Sequence, residues 1–304
     1  LGRTDAAALL EQVVAAGLPL ERRESGGSEP LYWWHPLMAT SGRVLLQRRN
    51  PALLLDLERR AARALASRDP VEAATHALRG NDPELASTLV RSQWLAAVLR
   101  GDWALVEELC AALPAPSSQD PEILAIRAAC LRNSGDAERA ASLDRRAQRE
   151  SAQSGSGMVE LTVSLARLFV LDAEAELAEA SERARTLLAE LSDVSGPLRA
   201  CALLLIGWTE LRLRRPQVAI PLLREATASC RAEGLEDLAG RARANESFAV
   251  AFGGDFGRAL DQMAATAPEA RAARWRRADG AIEWCAVGWV RFWSGDAQAA
   301  TDAF

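Results

Sequence analysis

Residues 284–304 read WCAVGWVRFWSGDAQAATDAF, an apolar run closed by Gly295-Asp296 and followed by a short Ala-rich stretch. The Gly-Asp punctuation recurs as Gly101-Asp102-Trp103, Gly135-Asp136-Ala137 and Gly254-Asp255-Phe256. A glycine just past a helix takes up positive φ at no steric cost, and the aspartate after it can cap the next helix and favours its positive dipole end. The intervals are 34 residues from Gly101 to Gly135 and 41 from Gly254 to Gly295. Arg214 stands in the glycine's place before Arg215-Pro216, 40 residues ahead of Gly254. The 79 residues between Gly135 and Arg214 leave room for two units, with a turn near Leu171-Asp172. From Pro51 onward apolar residues fall at i, i+3, i+4 and i+7, so the spacing predicts one helix on each side of every turn, the mark of a helical-pair solenoid.

The 284–304 stretch resembles a tetratricopeptide repeat: Trp284, Val287, Gly288, Gly295, Ala300 and Phe304 fall at its large, large, small, turn, small and large positions. Gly207, Ala219 and Ala226 fit the same frame, and Pro216 opens a second helix where its missing N–H costs nothing. Small residues there let two helices approach while large ones fill the space between them. Asp144 and Thr266 stand at apolar positions of the pattern, so shifted or imperfect packing is expected around them. The fold implied is all-α, a right-handed superhelix of tetratricopeptide-like hairpins.

The N-terminal part differs. Leu9, Leu10, Val13 and Val14 have helical spacing behind Thr4-Asp5, and the helix stops at Gly17. The alternating Leu18 and Leu20, the break at Ser25-Gly26-Gly27-Ser28 and the run Leu31-Tyr32-Trp33-Trp34 read as two short strands. Helix plus hairpin resembles the tail of a winged-helix unit; the alternative is a loop carrying aromatic anchors onto the solenoid. The segments LLEQVVAAGLPLERR, LYWWHPLM, LERRAARALASRDPVEAATHALRGNDPELASTLV and LRGDWALVEELCAALP, within Leu9–Pro114, resemble the junction of winged helix and helical repeats in the MalT-like, LuxR-type regulators of the STAND class of signal-transduction ATPases. Trp33, Trp34 and His35 match the aromatic strand of that family, and Arg59 to Ala62, Ala73, Ala74, His76 to Leu78 and Asn81-Asp82 match the helical run that follows. Pro36 and Asn81 depart from it. The resemblance implies a winged-helix remnant over 1–47, a helical linker with the first helical pairs over 48–115, and a sensor superhelix over 116–304. It also implies an ATPase module using ATP and Mg ahead of this region, a helix-turn-helix DNA-binding domain after it, and self-association or an inhibitory protein partner in the whole regulator.

Composition narrows the chemistry. Of 304 residues 49% are hydrophobic and 25% charged, which is globular and not disordered. The 36 basic and 41 acidic residues leave a net charge of −5, no electrostatic footprint for nucleic acid. Every basic residue is arginine, so a P-loop with its obligatory lysine is impossible here and no cofactor is expected in this region. Cys110, Cys130, Cys201, Cys230 and Cys285 are scattered and odd in number, against a disulfide framework or zinc site and in favour of a reducing cytoplasm. His35 and His76 lie on different elements and read as structural, so no metal site is expected. Ser41-Gly42 and the Ser154 to Gly157 run read as turn or linker, and Glu174, Glu176, Glu179 and Glu182 spread round a helix as a solvated face. No catalytic residue is expected. No apolar run is long enough to span a membrane and no signal peptide is recognisable. The abrupt ends read as those of an excised piece.

Counting back from each turn along the first helix of each pair selects an inner lining: Leu161, Leu165, Leu168 and Phe169; Leu204, Trp208, Leu211 and Arg212; Arg241, Phe248 and Phe252; Ile282, Cys285, Trp289, Phe292 and Trp293. This lining is rich in aromatics and poor in charge. In one reading the superhelix is tight and the lining is packed core. In the other, Leu165, Phe169, Trp208, Phe248, Phe252, Trp289 and Trp293 form a pocket for an apolar or aromatic small-molecule effector, with Arg212 or Arg241 pairing a carboxylate or stacking on a ring. A superhelix that binds a peptide or partner protein is the rival to such an effector sensor.

Overall fold

The computed structural model describes residues 5–23, 31–264 and 278–303. The side chains of Ile282 and Trp284, and Thr266, Phe304 and the Ser25–Ser28 turn, lie outside the described residues. The fold is all-α: among the described residues, sixteen α-helices and a single two-stranded sheet. Two compact units divide the chain, 1–89 and 90–304. This division falls inside the helix Pro83–Arg100 and not at the changes of sequence pattern near 47 and 115.

In the first unit α1 (Ala6–Ala15) precedes an antiparallel hairpin of β1 (Leu20–Arg23) and β2 (Leu31–Trp34), in which Leu20 pairs with Trp34. The Tyr32 hydroxyl donates to Glu11 of α1. Next come α2 (Pro36–Arg49), α3 (Pro51–Leu65), α4 (Pro70–Arg79) and the start of α5 (Pro83–Arg100). His35 Nδ1 accepts from the Leu37 N–H at 3.3 Å, and Asn50 and Asp69 accept in the same way from Leu53 at 3.0 Å and Glu72 at 3.1 Å, so each of these helices opens on a side-chain cap followed by proline.

The second unit is a superhelix of helical hairpins. It contains the rest of α5 with α6 (Trp103–Ala112), α7 (Pro121–Asn133) with α8 (Ala137–Ser154), α9 (Gly157–Val170) with α10 (Glu174–Glu190), α11 (Gly196–Arg212) with α12 (Pro216–Ala232), α13 (Glu236–Phe252) with α14 (Phe256–Ala264), and α15 (Ala278–Trp293) with α16 (Ala297–Ala303). Gly101, Gly135, Gly254 and Gly295 all have φ between 87° and 100°, and Arg214 adopts φ 56° in the glycine's place. The residue after each donates its N–H five residues back: Asp102 to Ala97 O at 3.0 Å, Asp136 to Leu131 at 2.9 Å, Arg215 to Glu210 at 2.8 Å, Asp255 to Val250 at 3.2 Å and Asp296 to Arg291 at 3.0 Å. One backbone device therefore reverses the chain at every such turn. Asp136, Asp255 and Asp296 each accept from the N–H three residues on, as a cap should. The small positions permit close approach: a Cβ on Gly207 would lie 2.7 Å from Leu223 of α12, and Ala219, Ala226 and Ala300 are buried.

The buried core runs along the facing sides of these hairpins, with Ile123, Leu161, Leu168, Leu204, Ile206 and Leu223 among its largest members. Asp144, at a position apolar in the repeat pattern, is buried too, where Gln148 Nε2 donates to it at 2.6 Å and Arg167 Nε lies 3.7 Å away. No helix among the described residues is long and apolar enough to cross a membrane.

Candidate functional site

The inner lining expected from the repeats divides into two parts. At α9, Leu165 is fully buried in the core and Phe169 packs edge-on against Trp94 of α5, their centroids 6.4 Å apart. The part of α5 in this unit is buried all round from Trp94 to Leu99. It is held to α13 by Arg100, whose Nε and Nη2 reach the two carboxylate oxygens of Asp237 at 2.5 and 2.9 Å, and by Arg241, which donates to the Leu99 carbonyl. The chain's own helix thus covers Phe169 and engages Arg241. Arg212 is occupied as well: its Nη1 donates to Leu168 O at 2.9 Å and its Nη2 to Leu171 O at 3.3 Å. Packing thus places Leu165 in the core and directs both arginines to main-chain carbonyls that helix ends leave without partners.

At α13 and α15 the lining is open. Phe248 and Phe252 project from α13 onto Trp293 of α15, with centroids at 5.2 and 6.2 Å. Trp293 in turn lies 5.8 Å from Trp289, which meets Phe292 edge-on at 6.1 Å. The helical spacing that puts Phe248 and Phe252 one turn apart, and Trp289 and Trp293 likewise, produces two facing aromatic pairs. Phe248 is half-buried against the core cluster of α13, α14 and α15, whereas Phe252, Trp289, Phe292 and Trp293 remain between 36% and 57% exposed, as does Trp208 of α11. The ring planes around Trp293 are tilted by 41–52° to one another, so the rings meet as a faceted apolar surface.

The remaining chemistry is structural. Burial raises the Cys110 thiol well above its ordinary value and pushes Cys130 and Cys201 up to about 12 and Cys230 to about 11, so these four are inert packing groups. Among the described residues no cluster of three or more His, Cys, Asp or Glu is placed to hold a metal. In a cavity of about 780 Å³ between α8, α9 and α10, Arg183 meets Glu160 through two bonds of 2.6 Å. Sequence reasoning missed a second cavity, of about 440 Å³, in the first unit, where His76 Nδ1 lies 2.5 Å from the buried Glu58. No signal of periodicity could have found it, because its walls come from a strand and three helices, β2, α2, α3 and α4.

Neither a protein-family model nor a curated protein matches the sequence.

Proposed function

We propose that this chain is the effector-sensing, signal-transducing region of a LuxR-type STAND transcriptional regulator, whose aromatic face on α13 and α15 receives an apolar or aromatic small molecule. The observation that carries this reading is the exposure of Phe252, Trp289, Phe292 and Trp293 in mutual contact. Each such ring loses roughly 1.5–3 kcal/mol by remaining in water when it could be buried, and contiguous exposed aromatics mark binding sites more often than bare surface. The family expectation rests on the winged-helix-like opening and on the order of motifs over Leu9–Pro114. Effector binding would favour one arrangement of the hairpins over an autoinhibited one, and an ATPase module with ATP and Mg ahead of this region and a DNA-binding domain after it would read that shift. The region itself has no catalytic role in this scheme.

Thermal unfolding across a panel of aromatic and apolar metabolites tests the reading. A stabilising compound is expected, with its effect lost in Trp289→Ala and in Trp293→Ala. A panel without a single stabilising member would overturn it. One observation favours a second reading, docking of a peptide or partner protein: Arg212 and Arg241 are bonded to carbonyls, which leaves the face few polar groups to orient a small molecule. A stoichiometric protein partner that fails to bind Trp289→Ala, with no small-molecule response, would decide for it.

A further inference from the structure

The cavity of the first unit has a chemistry of its own. Its walls are Trp34 of β2, Met38 and Leu46 of α2, and Leu54 and Leu57 of α3. Arg43, Glu58 and His76 supply its polar end. Glu58 is buried, accepting from Arg43 Nε at 3.3 Å through one oxygen and facing His76 Nδ1 at 2.5 Å through the other. Burial works against ionising this carboxyl, but the bond and charge of His76 with the charges of Arg43 and Arg79 outweigh it and hold the group below its usual range. Both carboxylate oxygens of Glu58 are therefore already engaged, one by Arg43 and one by His76. A second anion, Glu72, lies 3.5 Å from Nε2 of His76 and does not line the cavity.

Arg43 is left with unused capacity. Its Nε is anchored on Glu58, which orients the guanidinium plane, while its two terminal nitrogens have no partner among the described residues and its side chain is 37% exposed. A guanidinium held by one edge with its other donors open, at the end of an apolar chamber, matches the fork geometry of a carboxylate attached to a hydrocarbon or ring. Gly42 keeps the chamber open: it lies within α2, where glycine is unfavourable, and a Cβ there would meet no atom within 4 Å. No close approach of neighbouring atoms requires a glycine at that position.

We propose that this cavity, walled by Trp34, α2 and α3, binds a small apolar monocarboxylate whose hydrocarbon part fills the chamber and whose carboxylate is held by the terminal nitrogens of Arg43. The site uses no residue of the aromatic face, so either can fail without the other. Its size falls within the range of small-molecule pockets.

Calorimetric titration of the full chain with decanoate, decan-1-ol and decylamine tests it. Decanoate is expected to bind one to one, at least tenfold more tightly than the alcohol, with the amine weakest. Gly42→Leu, which adds an apolar side chain at a wall residue where a Cβ meets no atom within 4 Å, should weaken decanoate at least tenfold while Tm stays equal or rises. Arg43→Gln should remove the preference for decanoate over decan-1-ol. Trp293→Ala should leave decanoate binding unchanged. No decanoate binding, unchanged binding to Gly42→Leu, equal binding of decylamine, or loss of binding in Trp293→Ala would each overturn the proposal.

Discussion

Arg212, the last residue of α11, donates to the carbonyl of Leu168 in α9, 44 residues earlier, at 2.9 Å. The α9–α10 turn has no glycine in the left-handed region, and Leu171 leaves α9 in extended backbone. Its last carbonyls therefore cannot be satisfied by the five-residue backbone bond used at the other turns, and Arg212 supplies the donors. Arg212→Ala is expected to destabilise the protein by about 1–3 kcal/mol, the cost of stranding partly buried carbonyls. Urea unfolding measures this. A change within error would show that water replaces the guanidinium at no cost.

A turn residue and a glycine inside a helix predict opposite signs. Arg214 pays for the left-handed conformation with a Cβ, so Arg214→Gly should stabilise, by at most about 1–2 kcal/mol. Gly207→Val should destabilise by about 1–3 kcal/mol, since its new side chain meets Leu223 where even a Cβ lies at 2.7 Å. Chemical denaturation of both variants beside the parent gives the signs directly, and Gly207→Val as stable as the parent would mean that α11 and α12 can move apart freely.

The Arg100–Asp237 pair predicts an acid-sensitive fastening of α5 to α13. Burial pushes the Asp237 carboxyl up, but the bond and charge of Arg100 and the N–H groups of Leu238 and Asp237 bring it below its ordinary value. A carboxyl lowered on folding stabilises the fold above its unfolded pKa, and that contribution is lost as pH falls through the folded value. Asp237→Asn should therefore cost stability at pH 7 and much less at pH 3. A double-mutant cycle with Arg100→Gln is expected to show a coupling of roughly 0.5–3 kcal/mol at pH 7. Additive effects at pH 7 would remove the fastening role.

How much of this was readable beforehand differs from element to element. The glycine turns were, because positive φ is a local requirement that leaves a local mark, and Arg214 was placed in the series by spacing alone; of the four aspartates expected to cap, Asp102 makes no side-chain cap bond. The close approach of α11 and α12 at Gly207 followed from the repeat frame, whereas Leu223 as the side chain it meets did not. By contrast, α2 has Gly42 and Ser41 inside it and no buried residue, so it carries no clear apolar stripe, and only the His35 cap and Pro36 announce it. The aromatics expected along the inner helices meet one another at α13 and α15, but which part of the lining is open depends on where α5 lies. Its bonds to α13 join residues more than 130 positions apart, and no periodicity encodes them. Arg212 and Arg241 misled for a related reason: an arginine on an inner face reads the same whether it awaits a ligand or closes a helix end.

Asp144 predicts the reverse pH behaviour to Asp237. Burial raises its carboxyl above the ordinary value, and the opposing effects of Arg167, Gln148 and Arg145 do not compensate. A carboxyl raised on folding penalises the fold above its folded pKa, and the penalty vanishes as pH falls below the unfolded one. Asp144→Asn retains a partner for Gln148 and removes the buried charge, so its Tm should exceed that of the parent at pH 7 and converge with it near pH 3.5. A lower Tm at pH 7 would show that Arg167, 3.7 Å away, depends on this carboxylate more than the carboxylate suffers from burial.

The aromatic face predicts a separation of stability from recognition. Trp289 and Phe292 are 46% and 57% exposed, and a substitution at the surface changes stability by about 0.5 kcal/mol or less unless it breaks a specific feature. Phe248 belongs to the same ring cluster but also packs on the buried core between α13, α14 and α15, and its truncation to alanine should cost about 3 kcal/mol or more if its cavity stays open. Trp289→Ala and Phe292→Ala are therefore expected to unfold within about 1 kcal/mol of the parent while reducing its binding of an apolar fluorescent dye, whereas Phe248→Ala should lose stability. Should Trp289→Ala and Phe292→Ala cost as much as Phe248→Ala, the exposed rings would be part of the core that holds α13 to α15, and the face would have no claim to a ligand.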